Sequence, residues 1–235
     1  RRGGGASSSL SPAGSGDLRP AVDALVADAA ELGVPFHMNG VPREGTAALE
    51  ALFPGRFAFS EVRDNFDYLY ESEKLITLSG KKLHGKRNFV NRFLAENEGR
   101  WAYEAVTPEN LPECWRMNVA WCAENGCGED PSLAEETCAV KKCFDNFTAL
   151  GLRGGLLRLD GGVIAYTMGL PLNSDTFIVH IEKAFASIAG AYPMINQQFA
   201  AHNCADYKYV NREDDVGDEG LRKAKLSYRP AIPLE

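Results

Sequence analysis

Between Leu152 and Lys183 the sequence runs Leu152–Leu159, Asp160-Gly161-Gly162, Val163–Leu170 and Asp175–Lys183. No other stretch restricts the fold as much. The first two apolar runs are joined by a tight, glycine-containing turn, which closes them into a hairpin, and the third continues the same pattern. The stretch reads as three consecutive antiparallel strands.

Upstream lie a strand over Trp101–Val106, a helix opened by Thr107-Pro108-Glu109 and a second helix over Ser132–Leu150. Downstream lie a helix over Ala191–His202, a strand over Tyr207–Asn211, a helical stretch over Asp218–Leu226 and a last strand over Ser227–Pro233. This succession is similar to the element order of the Gcn5-related N-acyltransferase fold. The resemblance implies an α+β protein with a mixed, mostly antiparallel sheet. It also implies a cleft where the fourth and fifth strands splay, with the helix after the fourth strand aiming its N-terminus at the donor's phosphates.

Before Trp101 the pattern is less regular. Arg1–Gly16 is rich in Gly and Ser with a single Leu, so it is expected to be disordered or a remnant. Asp17 caps a predicted helix ending at Gly33, a strand follows over Pro35–Gly40, and a short helix passes through Leu49 and Leu52. Strands are expected at Arg56–Glu61 and Phe66–Tyr70, then a turn at Ser72–Leu78. Residues 80–98 form a basic helix with no acid between Gly80 and Ala95, presenting Leu83, Phe89, Val90 and Phe93 on one arc. Its Lys82, His84, Lys86, Arg87 and Asn88 either solvate a surface or hold an anion.

With 25 Lys and Arg against 32 Asp and Glu, the net charge of −7 argues against wholesale binding of DNA or an anionic membrane. A local basic patch can still hold one anion. No apolar run approaches the ~20 residues that cross a bilayer, and the start lacks an apolar signal core, so a cytoplasmic protein is expected. Six cysteines at wide spacings read as free thiols, with no metal site.

His180 and Glu182 alternate onto one strand face, where they can serve as general base and orienter or form a structural pair. The following Ala184–Ala191 keeps Gly190-Ala191 but lacks the earlier Arg or Gln of a coenzyme A loop. Asn196 sits mid-helix, Asn211-Arg212 ends a strand among acids, and Arg222 and Lys225 lie three apart on a helix, suited to a phosphate or carboxylate.

Phe53-Pro54-Gly55-Arg56-Phe57, Arg63-Asp64-Asn65-Phe66-Asp67-Tyr68, the Gly80–Asn88 run, Val179–Lys183, Ala191–Gln197, Tyr209–Asp214 and Gly220–Lys225 together carry a further likeness. In that order they resemble the bacterial proteins with a phosphatidylglycerol lysyltransferase C-terminal-type domain. The resemblance implies tandem acyltransferase-like domains related to Fem-type aminoacyl transferases. The first, at 17–99, is truncated and holds the basic linking helix, and the second spans 100–235. It also implies a transferase that moves an acyl or aminoacyl group to an amine or hydroxyl. Its donor would be aminoacyl-tRNA, with the tRNA acceptor arm as partner, rather than acyl-CoA. The competing expectation is a non-catalytic module that senses a small anionic metabolite.

Overall fold

The structure is a computed structural model that describes residues 8–127 and 131–234. The side chains of 131–135 and 232–234 lie outside the description. Two compact units result, one built on the chain before Phe66 and the other on Phe66–Pro233.

In the first unit, β1 (Ser8–Leu10) pairs in parallel with β2 (His37–Asn39), and α1 (Leu18–Glu31) forms the crossover. Asp17 caps α1 by accepting from the Arg19 amide at 3.0 Å. With α2 (Arg43–Leu52) the unit closes a small core on Val22, Leu49 and Phe53. Two expectations are corrected. Ser8–Leu10 is a paired strand, while residues 1–7 of the segment expected to be disordered lie outside the described residues. Arg56–Glu61 forms no strand, because Phe57 packs its ring on Phe53 at 5.5 Å whereas Phe59 is left exposed.

The second unit begins with β3 (Asp67–Glu71), α3 (Ser72–Thr77), a 3-10 turn at Lys81–Leu83, α4 (His84–Glu96) and β4 (Trp101–Ala105). It continues with α5 (Leu111–Asn125), α6 (Pro131–Asp145), β5 (Arg153–Leu159), β6 (Gly162–Pro171) and β7 (Thr176–Ala184). Then come α7 (Ala191–Asn203), β8 (Tyr209–Asn211), α8 (Glu219–Leu226) and β9 (Ile232–Leu234).

The sheet has the order β4-β5-β6-β7-β8-β3-β9. From β4 to β7 it is an antiparallel meander, β8 joins β7 in parallel, and β3 runs antiparallel to β8. The α+β class and the mixed, mostly antiparallel sheet are as expected. Because β3 lies inside this sheet, the sheet draws on chain from both sides of the 99/100 boundary inferred from the sequence.

One face of the sheet packs against α3, α4 and α7 through Leu75, Val90, Phe93, Met194 and Phe199. The other packs against α5 and α6 through Cys114, Met117, Trp121 and Phe144. Each core isolates apolar surface that a single sheet face could not bury alone.

A bulge sets the geometry of β7. Met168 pairs with Ile181 and Gly169 with Val179, so His180 has no partner on β6. The extra residue reverses the alternation, which puts Val179 in the α7-side core and Ile181 in the α5-side core. At Gly169 a Cβ would come within 2.1 Å of the Ile178 carbonyl oxygen, so only glycine fits there.

Three further expectations change. Ser72–Leu78 is helix α3 ending in a left-handed Leu78, not a plain turn. The basic helix starts as a 3-10 turn and becomes α-helical only at His84, with Phe89 48% exposed while Val90 and Phe93 are buried. The last strand is confined to Ile232–Leu234, since Tyr228 turns inward.

Candidate functional site

The parallel strands β7 and β8 stay paired over only three positions, the last being Ile178 with Asn211. There β8 ends while β7 continues to Ala184, and the two chains part. Arg212 and Glu213, the first residues beyond β8, span the opening in two directions. Glu213 has a left-handed φ of 56°, a conformation uncommon for a non-glycine residue and worth relating to function.

Arg212 donates from Nη2 to Glu182 Oε1 at 2.8 Å, and Asn196 on α7 donates from Nδ2 to Glu182 Oε2 at 2.9 Å. Both ends of the Glu182 carboxylate are therefore held, and its side chain keeps 11% of its exposure. Glu213 holds His180 Nδ1 at 2.6 Å. A carboxylate can only accept, so the ring carries its proton on Nδ1 and leaves Nε2 as an acceptor. The bulge thus gives His180 and Glu182 different partners, although they are two residues apart.

The loop after β8 is fixed from behind. Lys225 on α8 is buried and donates to the carbonyls of Arg212 at 2.6 Å, Glu213 at 3.2 Å and Asp214. Burial, aided by the field of Arg212, lowers its pKa to about 8. Asn211 accepts from the Glu213 amide at 2.7 Å and donates to Asp67 at 2.7 Å.

The guanidinium of Arg212 also stands over two rings, 4.9 Å from the Tyr228 centroid and 5.6 Å from that of Tyr70. Lys86 approaches Tyr228 as well, with Nζ 4.2 Å from its centroid. Desolvation and the nearby Arg212 charge hold the Lys86 pKa below its ordinary value, against the opposing pull of Glu182. Burial raises both tyrosine hydroxyls.

Of the residues singled out from the sequence, Glu182, Asn196, Arg212, Asn211, Lys86, Lys225 and His180 gather around this opening. Arg222 is turned away: it makes a two-pronged contact with the fully buried Asp215 at 2.9 and 2.7 Å. Arg87 donates to the Leu78 carbonyl at 2.6 Å and closes the turn before α4. His84 and Asn88 are exposed and 3.4 Å apart on α4, and Lys82 lines a cavity with Tyr70 and Tyr228.

Sequence reasoning missed Tyr70, Tyr228 and the pairing role of Glu213. Buried tyrosines carry no local signal, but the acid-rich run after Arg212 did mark Glu213. Among the described residues no group of three His, Cys, Asp or Glu side chains could hold a metal ion, and no helix is long and apolar enough to cross a membrane.

Comparison with known proteins places this geometry. The family model described as phosphatidylglycerol lysyltransferase, C-terminal, matches residues 1–234. A crystal structure of a conserved protein of unknown function from Bacteroides thetaiotaomicron is 44% identical, with a TM-score of 0.92, covering 97% of this chain and 76% of that one. The C-terminal domain of a putative lysylphosphatidylglycerol synthetase from Agrobacterium fabrum has a TM-score of 0.69 at 16% identity, covering 96% and 74%. L-PGS from Bacillus licheniformis has a TM-score of 0.60 at 16% identity, covering 92% and 71%. These two likenesses concern the fold alone. An uncharacterised protein of Mycoplasmoides gallisepticum is 27% identical over 177 residues, 72% of this chain and 54% of that protein, so the chain spans about half the length of this curated relative.

Proposed function

Since the chain belongs to the phosphatidylglycerol lysyltransferase C-terminal family, we propose that it transfers an aminoacyl group from aminoacyl-tRNA to an amine or hydroxyl acceptor. The observation that carries this reading is the Glu182 carboxylate, held between Arg212 and Asn196 where β7 and β8 part. In this reading Arg212 and Lys86 supply positive charge for the donor's carbonyl or phosphate. His180, oriented by Glu213, takes the acceptor's proton at Nε2. Glu182, tied to a guanidinium, is a weaker base and serves to hold Arg212 and to attract an ammonium group. We read the second unit as one acyltransferase-like domain and the chain before it as part of another.

The preference for aminoacyl-tRNA over acyl-CoA has a steric basis. In the fold it resembles, the helix after the fourth strand would receive the pyrophosphate at its N-terminus. Here that end of α7 abuts α4: a Cβ on Gly190 would come within 2.5 Å of the Phe89 carbonyl oxygen. Together with the missing glycine-loop pattern, this leaves coenzyme A a poor fit.

The full engagement of Glu182 also favours a second reading, a silent module that senses an anion. One experiment separates the two. Aminoacyl-tRNA turnover in the presence of candidate amines is followed for the parent and for His180→Gln. A transferase loses turnover in the variant while retaining donor binding. Absence of turnover in the parent, with an anionic metabolite copurifying, supports the sensor.

A further inference from the structure

Beside this opening lies a cavity of about 440 Å³ that the transfer reading does not use. Its walls include Tyr70, Tyr228 and Leu83, and Lys74, Lys81, Lys82 and Arg229 line it together with a single acid, Glu71. None of the four cations makes an ion pair with the described residues. Elsewhere in the unit the cations are matched: Arg92, Arg100, Arg158, Lys183, Arg212 and Arg222 all meet carboxylates.

The framing backbone is strained where it bounds this space. Arg229, a lining residue, has a φ of 58°, and Leu78, just before lining residues Ser79 and Gly80, has a φ of 49°. Left-handed non-glycine residues persist only where the surroundings hold them, and they cluster at ligand sites. Four unpaired cations around tyrosine and leucine walls suit a group with more charge and more acceptor oxygens than one carboxylate, attached to an apolar or ring-shaped body.

We propose that this cavity binds a phosphate ester, with its body against Leu83 and Tyr228 and its phosphate held by Lys81, Lys82 and Arg229. Tyr228 is the shared wall, since the Arg212 and Lys86 cations stand over the same ring. A ligand seated here therefore lies next to the proposed transfer site. That the ester belongs to the donor or acceptor rests on the transferase reading, but that it binds does not.

The test is calorimetric titration of the full chain with inorganic phosphate, adenosine 5′-monophosphate and dihexanoyl-phosphatidylglycerol below its micelle concentration. At least one ester is expected to bind tenfold or more tightly than inorganic phosphate, with affinity falling as salt rises. The double variant K81A/K82A should lose at least tenfold, and Lys141→Ala, on exposed α6 and paired to Asp145, should lose nothing. Preference for the nucleotide identifies a nucleic-acid or nucleotide source, and preference for the lipid identifies a headgroup. Equal binding of all three probes, or unchanged affinity in K81A/K82A, overturns the proposal. Glu182→Gln separates the two readings, because it should leave ester binding intact. Ester binding by a parent chain that turns over no donor sinks the transferase reading and leaves the cavity standing, whereas turnover without ester binding does the reverse.

Discussion

Lys86 and Arg212 share one aromatic ring, their charged groups 4.2 and 4.9 Å from the centroid of Tyr228. Only Arg212 has a carboxylate of its own, Glu182, at 2.8 Å. Lys86 is half-buried, pushed toward neutrality by desolvation and by its neighbour's charge. A protein gains nothing in stability from this arrangement, which makes it a candidate for function.

Lys86→Met therefore keeps the stem's packing and removes the repulsion. The expected outcome is a urea midpoint unchanged or raised, by up to about 1 kcal/mol, with donor turnover reduced at least tenfold. A clear loss of stability with turnover unchanged would mean that Lys86 is a structural residue.

The Glu182–Arg212 pair makes the opposite prediction. Both side chains are nearly buried, at 11% and 12% exposure, so Glu182→Gln strands a guanidinium with rings for its only strong partners. The cost should be about 3 kcal/mol, as for other broken buried pairs. Replacing both residues at once, as Glu182→Leu with Arg212→Met, should recover most of that loss. Chemical denaturation of the two singles and the double gives the coupling directly.

The contrast shows what the sequence could reveal. The hairpin around Asp160-Gly161-Gly162 and the strands flanking it were legible because alternation and turn chemistry are local. So was the gathering of Lys86, Arg212 and Glu182, as a set of chemical types near strand and helix ends. The separation of His180 from Glu182 was not legible, because it depends on one unpaired residue in β7 whose cause is the close approach of Gly169 to Ile178 on the facing strand. Nor was the withdrawal of Arg222, because the acid that captures it, Asp215, is buried by Tyr68 from β3, whose hydroxyl donates to it at 2.5 Å. Both outcomes are set by contacts far apart in the chain.

Lys225 gives a pH signature. Its pKa is about 8 in the fold against 10.5 unfolded, with burial as the largest cause. Below pH 8 both states hold the proton and the full penalty is present. Between 8 and 10.5 the unfolded chain binds more protons, so stability rises with pH, by up to about 3 kcal/mol. Above pH 10 Tyr70 and Tyr228 act in the other direction, since burial raises their pKa values and the unfolded chain releases those protons first. A gain in stability from pH 8 to 10 is expected, and an NMR titration of the Lys225 ε-methylene should have its midpoint near 8. A midpoint at 10 or above would reject the assignment.

The approach of α7 to α4 supplies the last prediction, and it bears on the donor. Gly190 has a φ of 82°, and a Cβ there would lie 2.5 Å from the Phe89 carbonyl oxygen and 3.0 Å from the Phe93 Cβ. An L-residue incurs left-handed strain of about 1–2 kcal/mol, and overlap with fixed backbone adds at least as much again. Gly190→Ala should thus destabilise the chain by about 3 kcal/mol or more, read from its urea midpoint. The same contact covers the end of α7 where a pyrophosphate would dock, so acetyl-CoA at millimolar concentration should leave the melting temperature of the parent unchanged. A stabilising shift with acetyl-CoA would mean that α4 moves off α7 to admit the cofactor, and would reverse the order of donors argued from Gly190.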